Sequence, residues 1–463
     1  MYAMIPLKVK EIRAIIDGEL VQGYDELVVQ QGAYRLKQLR KKNTILFTKY
    51  KLKNWDDLKR FFPLIIVTHK DYTDTSHLEN LTIIKVDSAE EAYWKFVNYY
   101  RNQFDIPIVA ITGTCGKTTT KEMVRHILSD SKKVAATKKT NNSRTAHLQY
   151  LLSIEQDTDA AVFETAVGSP GDVLYAGKYF KPTIGIITNI GEHHLRLCKT
   201  MEAYIEAKAD MAKILDDQGV LIINADDEKT GKVDFSGFPG KILTFGKDPS
   251  SHFRATDIKY KNNGMQFSLH HNDQNYVIYV PGYGVHQVSN ALAALAAVYE
   301  MGMNLTEAAE RLSSFQKFER QLQVVEGING STLLDDTWSI TSTSLEAAIK
   351  VLEEIGKDKK KVAVVGSITG LGSFGKSINK RAGEMIAKHN IDILIVRGNT
   401  LAETMATQAM ESNPKLQVYY FSKSRRIYRL LKEIIDENTL VLFKGNMYSK
   451  TMIELSAKFR KEP

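Results

Sequence analysis

The run Ile108-Val-Ala-Ile-Thr-Gly-Thr-Cys-Gly-Lys-Thr-Thr-Thr120 constrains the fold more than any other segment of the chain. Ile106 to Ile111 is apolar and mostly β-branched, so it reads as a buried strand, and Met123, Val124, Ile127 and Leu128 recur behind it at helical spacing. A strand that passes into a helix through so short a turn indicates an α/β fold built on a parallel sheet. Gly113 and Gly116 let the turn bend tightly, so that the backbone from Gly113 through Thr114, Cys115 and Gly116 to Thr119 can aim N–H groups at phosphate oxygens. The helix adds its positive end, Lys117 would neutralise the outer phosphates, and Thr118 would place a hydroxyl on a magnesium ion. Ile111 stands where the general phosphate loop carries a glycine, so Gly-Lys-Thr by itself is a weak signal. An ordinary strand-to-helix turn is the alternative, and the flanking strand and helix are what favour a nucleotide triphosphate.

The chain has 463 residues, too many for one core, and the pattern changes suggest three units. Residues 1–104 carry short strands near Thr44 to Phe47 and Leu64 to Thr68 and a helix around Ala89 to Arg101. Residues 105–317 hold the phosphate strand, two apolar runs ending in polar residues (Ala160 to Glu164 and Thr183 to Asn189), and Gly219 to Asn224. An alternating segment follows from about Ser250 to Val280, then an alanine-rich helix from Ser289 to Met301. Residues 318–463 repeat the strand-then-helix pattern at Lys361 to Gly366, Ile391 to Val396, Leu416 to Phe421 and Thr439 to Lys444, a second doubly wound unit. Two α/β units with a cleft between them suit an enzyme that closes on ATP and a second substrate.

Composition excludes little: 43% hydrophobic and 25% charged residues are ordinary for a globular protein. The net charge of +8 could favour anionic substrates, but runs such as Lys357 to Lys361 are those of a solvated face, and no nucleic-acid partner is required. The first ten residues lack a basic segment followed by a long apolar one, and no later stretch is apolar enough to cross a bilayer. A cytoplasmic monomer without membrane insertion is the expectation. Two cysteines, Cys115 and Cys198, make no disulfide framework and have no metal-ligand partner at a usual spacing.

Taken together, Thr112 to Thr119, Glu164 with Pro170-Gly-Asp172, Thr188-Asn-Ile-Gly-Glu-His-His194, Glu206-Ala-Lys208, Asn224-Ala-Asp-Asp227, Pro281 to Asn290 and Asp335-Asp336 resemble the Mur ligase family over nearly the whole chain. Within it, the branch adding D-alanyl-D-alanine to a UDP-muramoyl tripeptide is the most similar. The resemblance implies a three-domain architecture, with a central phosphate-loop ATPase domain and a C-terminal Rossmann-like domain. It also implies transfer of the ATP γ-phosphate to a carboxylate, and attack of an amine on the acyl phosphate to give an amide.

By the same resemblance Lys117, Glu164, His194 and Lys208 are catalytic, and Thr118, Glu164, His194 and Lys208 hold magnesium. Lys208 matches a lysine that many members carbamylate, although composition alone reads it as a surface lysine of a helix from Met201 to Leu215. A hydrogen-bonded structural role competes for His194, and a plain polar turn competes for Asn224 and Asp227, the expected adenine and ribose contacts. His286 and Asn290 fall one helical turn apart and resemble a pair near the nucleotide, with a helix-capping histidine as the competing account; Arg320 is displaced by one position from a phosphate contact, and Asp336 would reach the nucleotide from the third unit.

The departures gather where substrates other than ATP are expected. Asp-Asp-Ser-Tyr-Asn-Ala-Asn-Pro is replaced by Asp335-Asp-Thr-Trp-Ser-Ile-Thr-Ser342, Gly-Asp-Met-x-Glu-Leu-Gly by Gly366-Ser-Ile-Thr-Gly-Leu-Gly372, and Lys-Gly-Ser-Arg-Gly-Met by Lys444-Gly-Asn-Met-Tyr-Ser449. Ala33-Tyr-Arg35 stands for Asp-Ser-Arg, and the loop after the phosphate helix becomes Lys139-Thr-Asn-Asn-Ser-Arg144. Lost recognition groups change discrimination by orders of magnitude. A ligase joining an amino acid or dipeptide to a different carboxylate therefore stands beside the leading expectation, with an inactive ATP-binding homologue and a simple phosphate-loop NTPase behind.

Overall fold

The computed structural model describes residues 4–461. The outermost ends of the expected first and third units, residues 1–3 and 462–463, lie outside the described residues. The order of elements gives three larger sheets, each with helices packed against it. The first has five strands in the order Glu19–Gln22, Leu81–Lys85, Leu64–Thr68, Thr44–Phe47 and Gln31–Ala33, parallel except for the first pair. Its central strand Leu64–Thr68 is buried at every position, which is why it reads as a continuous apolar run rather than an alternating one.

The second sheet has nine strands. Its parallel part runs Val134–Ala136, Ala160–Glu164, Ile108–Thr112, Ile184–Ile187, Val220–Asn224 and Lys241–Gly246. Phe253–Lys261 then pairs parallel to Lys241–Gly246 and antiparallel to Gly264–His271, and Gln274–Pro281 closes the edge. The chain starts at Ile108–Thr112, runs out to the edge strand Val134–Ala136, returns to Ala160–Glu164 between the two, and then crosses to the other side. The end of that first strand is therefore the switch point where open α/β sheets bind ligands. The phosphate turn lies there.

The helices Lys117–Leu128 and Val285–Glu300 pack together over this sheet, and Ala291, Ala293, Ala294 and Ala297 are fully buried. Small side chains let the second helix approach the sheet closely; it begins at Val285, earlier than the alanine run suggests.

The third sheet has the order Gln323–Glu326, Thr332–Asp336, Thr439–Lys444, Lys360–Gly366, Ile393–Arg397 and Gln417–Phe421, with only the first strand antiparallel. Its strand ends face the phosphate turn. Ile190, Leu195 and Cys198 of the second unit share an apolar core with Ile340, Leu345 and Leu371 of the third.

The first unit is also joined to the second. Phe96 and Tyr100 bury against the same core as Ile108, Phe163 and Phe180. Tyr93 Oη and Tyr179 Oη lie 2.6 Å apart, and Arg101 donates to the carbonyl oxygens of Phe180 and Lys181 at 2.6 and 3.0 Å.

Candidate active site

The phosphate turn is held in shape from two sides. Gly113 and Gly116 have φ of 146° and 83°, in the left-handed range that a side chain would strain. A Cβ on Gly113 would lie 1.9 Å from Thr188 Oγ1, and one on Gly116 would lie 2.3 Å from Asn290 Oδ1. Thr188 Oγ1 and Asn189 Nδ2 both donate to the Cys115 carbonyl, at 2.6 and 3.0 Å, and the Cys115 N–H donates back to Asn189 Oδ1 at 3.1 Å. Cys115 thus serves the turn through its backbone, and the Thr114 N–H is likewise bound to the Asn189 carbonyl. Lys117 opens the helix and curls over the turn, its ammonium donating to the carbonyl oxygens of Gly113 (2.9 Å) and Thr114 (3.1 Å).

One helical position further, Thr118 Oγ1 donates to Glu164 Oε2 at 2.9 Å. Glu164 ends its strand and is buried; Asn142 Nδ2 donates to its other oxygen at 2.6 Å, and Thr137 Oγ1 accepts from its backbone N–H at 3.0 Å. Asn142 is a site residue that sequence reasoning missed, although it lies in a loop whose altered motif marked the region. A threonine hydroxyl beside a carboxylate is a hard-oxygen donor pair of the kind magnesium uses while it keeps waters and phosphate oxygens in its remaining positions. Among the described residues no group of three or more His, Cys, Asp or Glu side chains gathers as a metal-binding cluster. Of the four expected ligands, the structure brings Thr118 and Glu164 into contact.

His194 adopts φ 53° at the start of a short helical turn, with its ring 3.8 Å from that of His193. Desolvation, and then the cations Lys117 and Lys208, lower its imidazole to about 4, so it is neutral at physiological pH. His193 is lowered in the same way, to about 3, with His194 itself contributing.

Lys208 is not a surface lysine. The helix carrying it, Met201–Ala209, ends earlier than the sequence suggests and turns this side chain inward, where it is 1% exposed. Its ammonium stands 4.5 Å from the centroid of the Tyr204 ring, one helical turn back, and Tyr204 Oη lies 3.1 Å from Thr114 Oγ1 in the phosphate turn. Among the described residues no carboxylate pairs with it. Burial above all, and then the charge of Lys117, push its pKa well below that of a free lysine. Tyr204 is a second missed residue; its i, i+4 spacing from Lys208 was the available signal.

On the other side of the turn lies a cavity of about 290 Å³ between the second and third units. Asn224, Asp227, His286, Asn290 and Asp336 all line it, together with Cys115, Gly116 and Thr119 of the turn. Asn224 and Asp227 also build their own turn: Asn224 donates to the Thr188 carbonyl at 2.9 Å, and Asp227 Oδ2 accepts from the backbone N–H groups of Ile190 and Thr230 at 3.1 and 2.9 Å. The imidazole of His286 is lowered to about 4 by burial and by Lys444.

From the third unit Asp336 ion-pairs with Lys444, both side chains buried. Burial raises the Asp336 carboxyl, and the lysine opposes that rise. Lys444, which ends the strand expected from Thr439 and opens an altered loop, and Trp338, which marks a departure from the family motif, both line the cavity. Arg320 is not among the lining residues; its guanidinium lies 5.4 Å from the Trp338 ring centroid. The two lobes touch across the crevice, Cys115 Sγ lying 3.2 Å from Thr341 Oγ1 and Thr119 Oγ1 3.5 Å from Gln321 Oε1.

Known proteins resemble the chain in the same order of parts. Residues 111–298 match the Mur ligase middle domain, and residues 320–447 match the Mur ligase glutamate ligase domain. The UDP-N-acetylmuramoyl-tripeptide--D-alanyl-D-alanine ligase of Bacillus subtilis is 25% identical over 448 residues, 96% of either chain. Among solved structures, MurF from Acinetobacter baumannii superposes with a TM-score of 0.84 at 22% identity, covering 98% of this chain and 100% of that one. MurF from Thermotoga maritima in complex with ADP gives 0.78 at 21% identity, covering 92% and 97%. With two of the family's domains matched in order around one shared crevice, the chain belongs to the Mur ligase family.

Proposed function

We propose that this chain is an ATP-dependent ligase that joins a carboxylate to an amine through an acyl phosphate, with D-alanyl-D-alanine and a UDP-muramoyl peptide as its substrates. The supporting observation is the crevice itself: Lys117, Thr118 and Glu164 on one lobe and the Asp336–Lys444 pair on the other lie around a single turn suited to phosphates. The Bacillus subtilis relative is named for ligation of a UDP-N-acetylmuramoyl-tripeptide with D-alanyl-D-alanine, which supports the choice of substrates.

The cavity beyond the turn receives the nucleoside, with Asn224, Asp227, His286 and Asn290 around it and Asp336 closing from the third unit. Backbone N–H groups at the helix start and the Lys117 ammonium hold the phosphates; Lys117 gives up its bonds to the loop carbonyls to do so. Arg320, beside Trp338, would be a further phosphate contact once the side chain turns toward the crevice. Thr118 and Glu164, with His194 and a carbamylated Lys208, would hold magnesium, which when bound neutralises charge on the transferred phosphoryl group. A neutral amine is the form that adds to carbon dioxide, and burial shifts Lys208 toward that form; the new N–C bond forms as one C=O π bond opens and the nitrogen gives up a proton, leaving an anionic oxygen donor. Contacts between the lobes exclude water from the acyl phosphate until the amine attacks.

The division into a substrate domain (1–104), an ATP-binding domain (105–317) and a ligase domain (318–463) belongs to the same proposal. The altered motifs of the third unit favour one second reading, a ligase of the same chemistry acting on another carboxylate or amine. Incubation with ATP, D-alanyl-D-alanine and the UDP-tripeptide should release phosphate only when all three are present and give the coupled product. Phosphate release with other acid and amine pairs alone would favour the second reading, and release without any acceptor would remove both.

A further inference from the structure

The phosphate helix Lys117–Leu128 carries a second lysine one turn after the first. Lys117 reaches back over the phosphate turn, whereas the Lys121 side chain is fully buried and reaches the loop that follows the edge strand Val134–Ala136. Each of its three ammonium donors has an acceptor. Two are backbone carbonyl oxygens, of Thr137 at 2.5 Å and Lys139 at 3.0 Å, and the third is Glu122 Oε1 at 2.7 Å. Arg125 lies 2.6 Å from the other Glu122 oxygen, so the lysine charge is balanced inside a small network.

Burying an ammonium costs solvation that a methionine of similar length would not lose. What the lysine adds is a tie between two pieces of chain. The loop from 137 to 143 forms no helix or strand, and Lys139 within it sits at φ 50°, in the left-handed range. Its two ends converge on Glu164. Thr137 Oγ1 accepts from the Glu164 N–H at 3.0 Å, and Asn142 Nδ2 donates to Glu164 Oε1 at 2.6 Å. The helix supplies the remaining contact directly, from Thr118 Oγ1 to Glu164 Oε2 at 2.9 Å. Thr118 and Lys121 are three residues apart and so lie on one side of the helix. Lys121 therefore closes a ring that runs from helix to loop, from loop to carboxylate, and back to the helix.

We propose that Lys121 is a positioning residue for Glu164. By pinning the loop to the phosphate helix it sets the orientation of both carboxylate oxygens relative to Thr118, and with it the strength with which that donor pair holds magnesium beside a bound nucleotide. The inference rests on the reading of Thr118 and Glu164 as magnesium ligands and goes beyond it, because Lys121 acts through the loop alone.

The test compares the affinity of the full chain for a fluorescent, non-hydrolysable ATP analogue in EDTA and in saturating magnesium chloride. The unaltered protein should bind more tightly with the metal. Lys121→Met should lose about tenfold of that gain, the size expected when a partner that orients a metal ligand is removed, while its affinity in EDTA stays unchanged. A lysine that merely stabilised the helix would weaken both affinities together. Asn142→Ala should lose part of the same gain, and adding Lys121→Met to it should remove little more, since both act through one loop. Thr137→Val is close to isosteric and leaves the lysine its carbonyl acceptors, so it reads the same link if Lys121→Met does not fold; it should also reduce the magnesium gain and spare the affinity in EDTA. An undiminished gain in Lys121→Met, equal losses with and without metal, or fully additive losses with Asn142→Ala would each overturn the proposal. So would an undiminished gain in Thr137→Val where that variant alone folds. No magnesium gain in the unaltered protein would remove the metal reading itself, and this proposal with it, whereas a gain that survives in Lys121→Met removes this proposal alone.

Discussion

His147 gives the sharpest quantitative expectation. Its side chain is 3% exposed among Tyr175, Tyr179 and Phe180, with ring centroids 6.0, 5.5 and 5.2 Å away, and among the described residues neither ring nitrogen has a partner with good hydrogen-bond geometry. Burial, opposed in part by Asp172 and by the backbone of Asn142, lowers its imidazole to about 4 from an ordinary 6.5. The folded protein therefore keeps it neutral while the unfolded chain protonates it, so its contribution is fully present above pH 6.5 and is lost as pH falls toward 4. With about 1.4 kcal/mol per unit, the loss is about 2 kcal/mol at pH 5 and about 3 kcal/mol by pH 4. His147→Leu, nearly volume-conserving and without a titrating group, should lack this term whatever its offset at neutral pH. Urea unfolding of both proteins at half-unit steps from pH 7.5 to 4.5 reads the difference directly. Parallel decline of the two curves would refute the reasoning. The effect bears on the active site because the same segment carries Asn142, which holds Glu164, and Arg144, which pairs with Asp172.

Three further expectations concern the crevice. Gly116→Ala places a methyl group 2.3 Å from Asn290 Oδ1 at a φ of 83° and should weaken binding of a fluorescent ATP analogue by about tenfold or more; unchanged affinity would show that the turn does not hold phosphates. Lys444→Met leaves Asp336 buried and unpaired and should cost about 3–5 kcal/mol in denaturant unfolding, with the double variant Asp336→Asn/Lys444→Met recovering part of it. Additive losses would argue against direct pairing. Lys208→Ala should lose turnover that short carboxylic acids restore, and full activity without them would remove the carbamate.

Much of this arrangement was legible in the sequence because it depends on local pattern. Strands buried on both faces, such as Leu64–Thr68 and Thr439–Lys444, appear as unbroken apolar runs, and the strand-turn-helix at Ile108 fixes the switch point. What sequence could not supply was pairing across long separations. Lys444 lies 108 residues from Asp336, and nothing in either neighbourhood announces the other. Lys208 misled for a related reason. Its helix alternates small and charged residues without a clear apolar face, so only tertiary packing reveals that the lysine points inward. The expected metal ligands came from motif order, whereas contact between Thr118 and Glu164 required knowing that strand Ala160–Glu164 lies beside Ile108–Thr112 in parallel register.

The apolar core shared by Phe96, Tyr100, Ile108, Phe163 and Phe180 has a mechanical consequence. A first unit joined to the central sheet in this way moves with it, and the third unit shares an apolar core of its own with the second, so opening the crevice would part Ile190 and Leu195 from Ile340 and Leu345 as well as Cys115 from Thr341. Cutting the chain before Ile108 would not release a free-standing module; it would strip the lining from one face of the remaining sheet and leave aromatic rings in water.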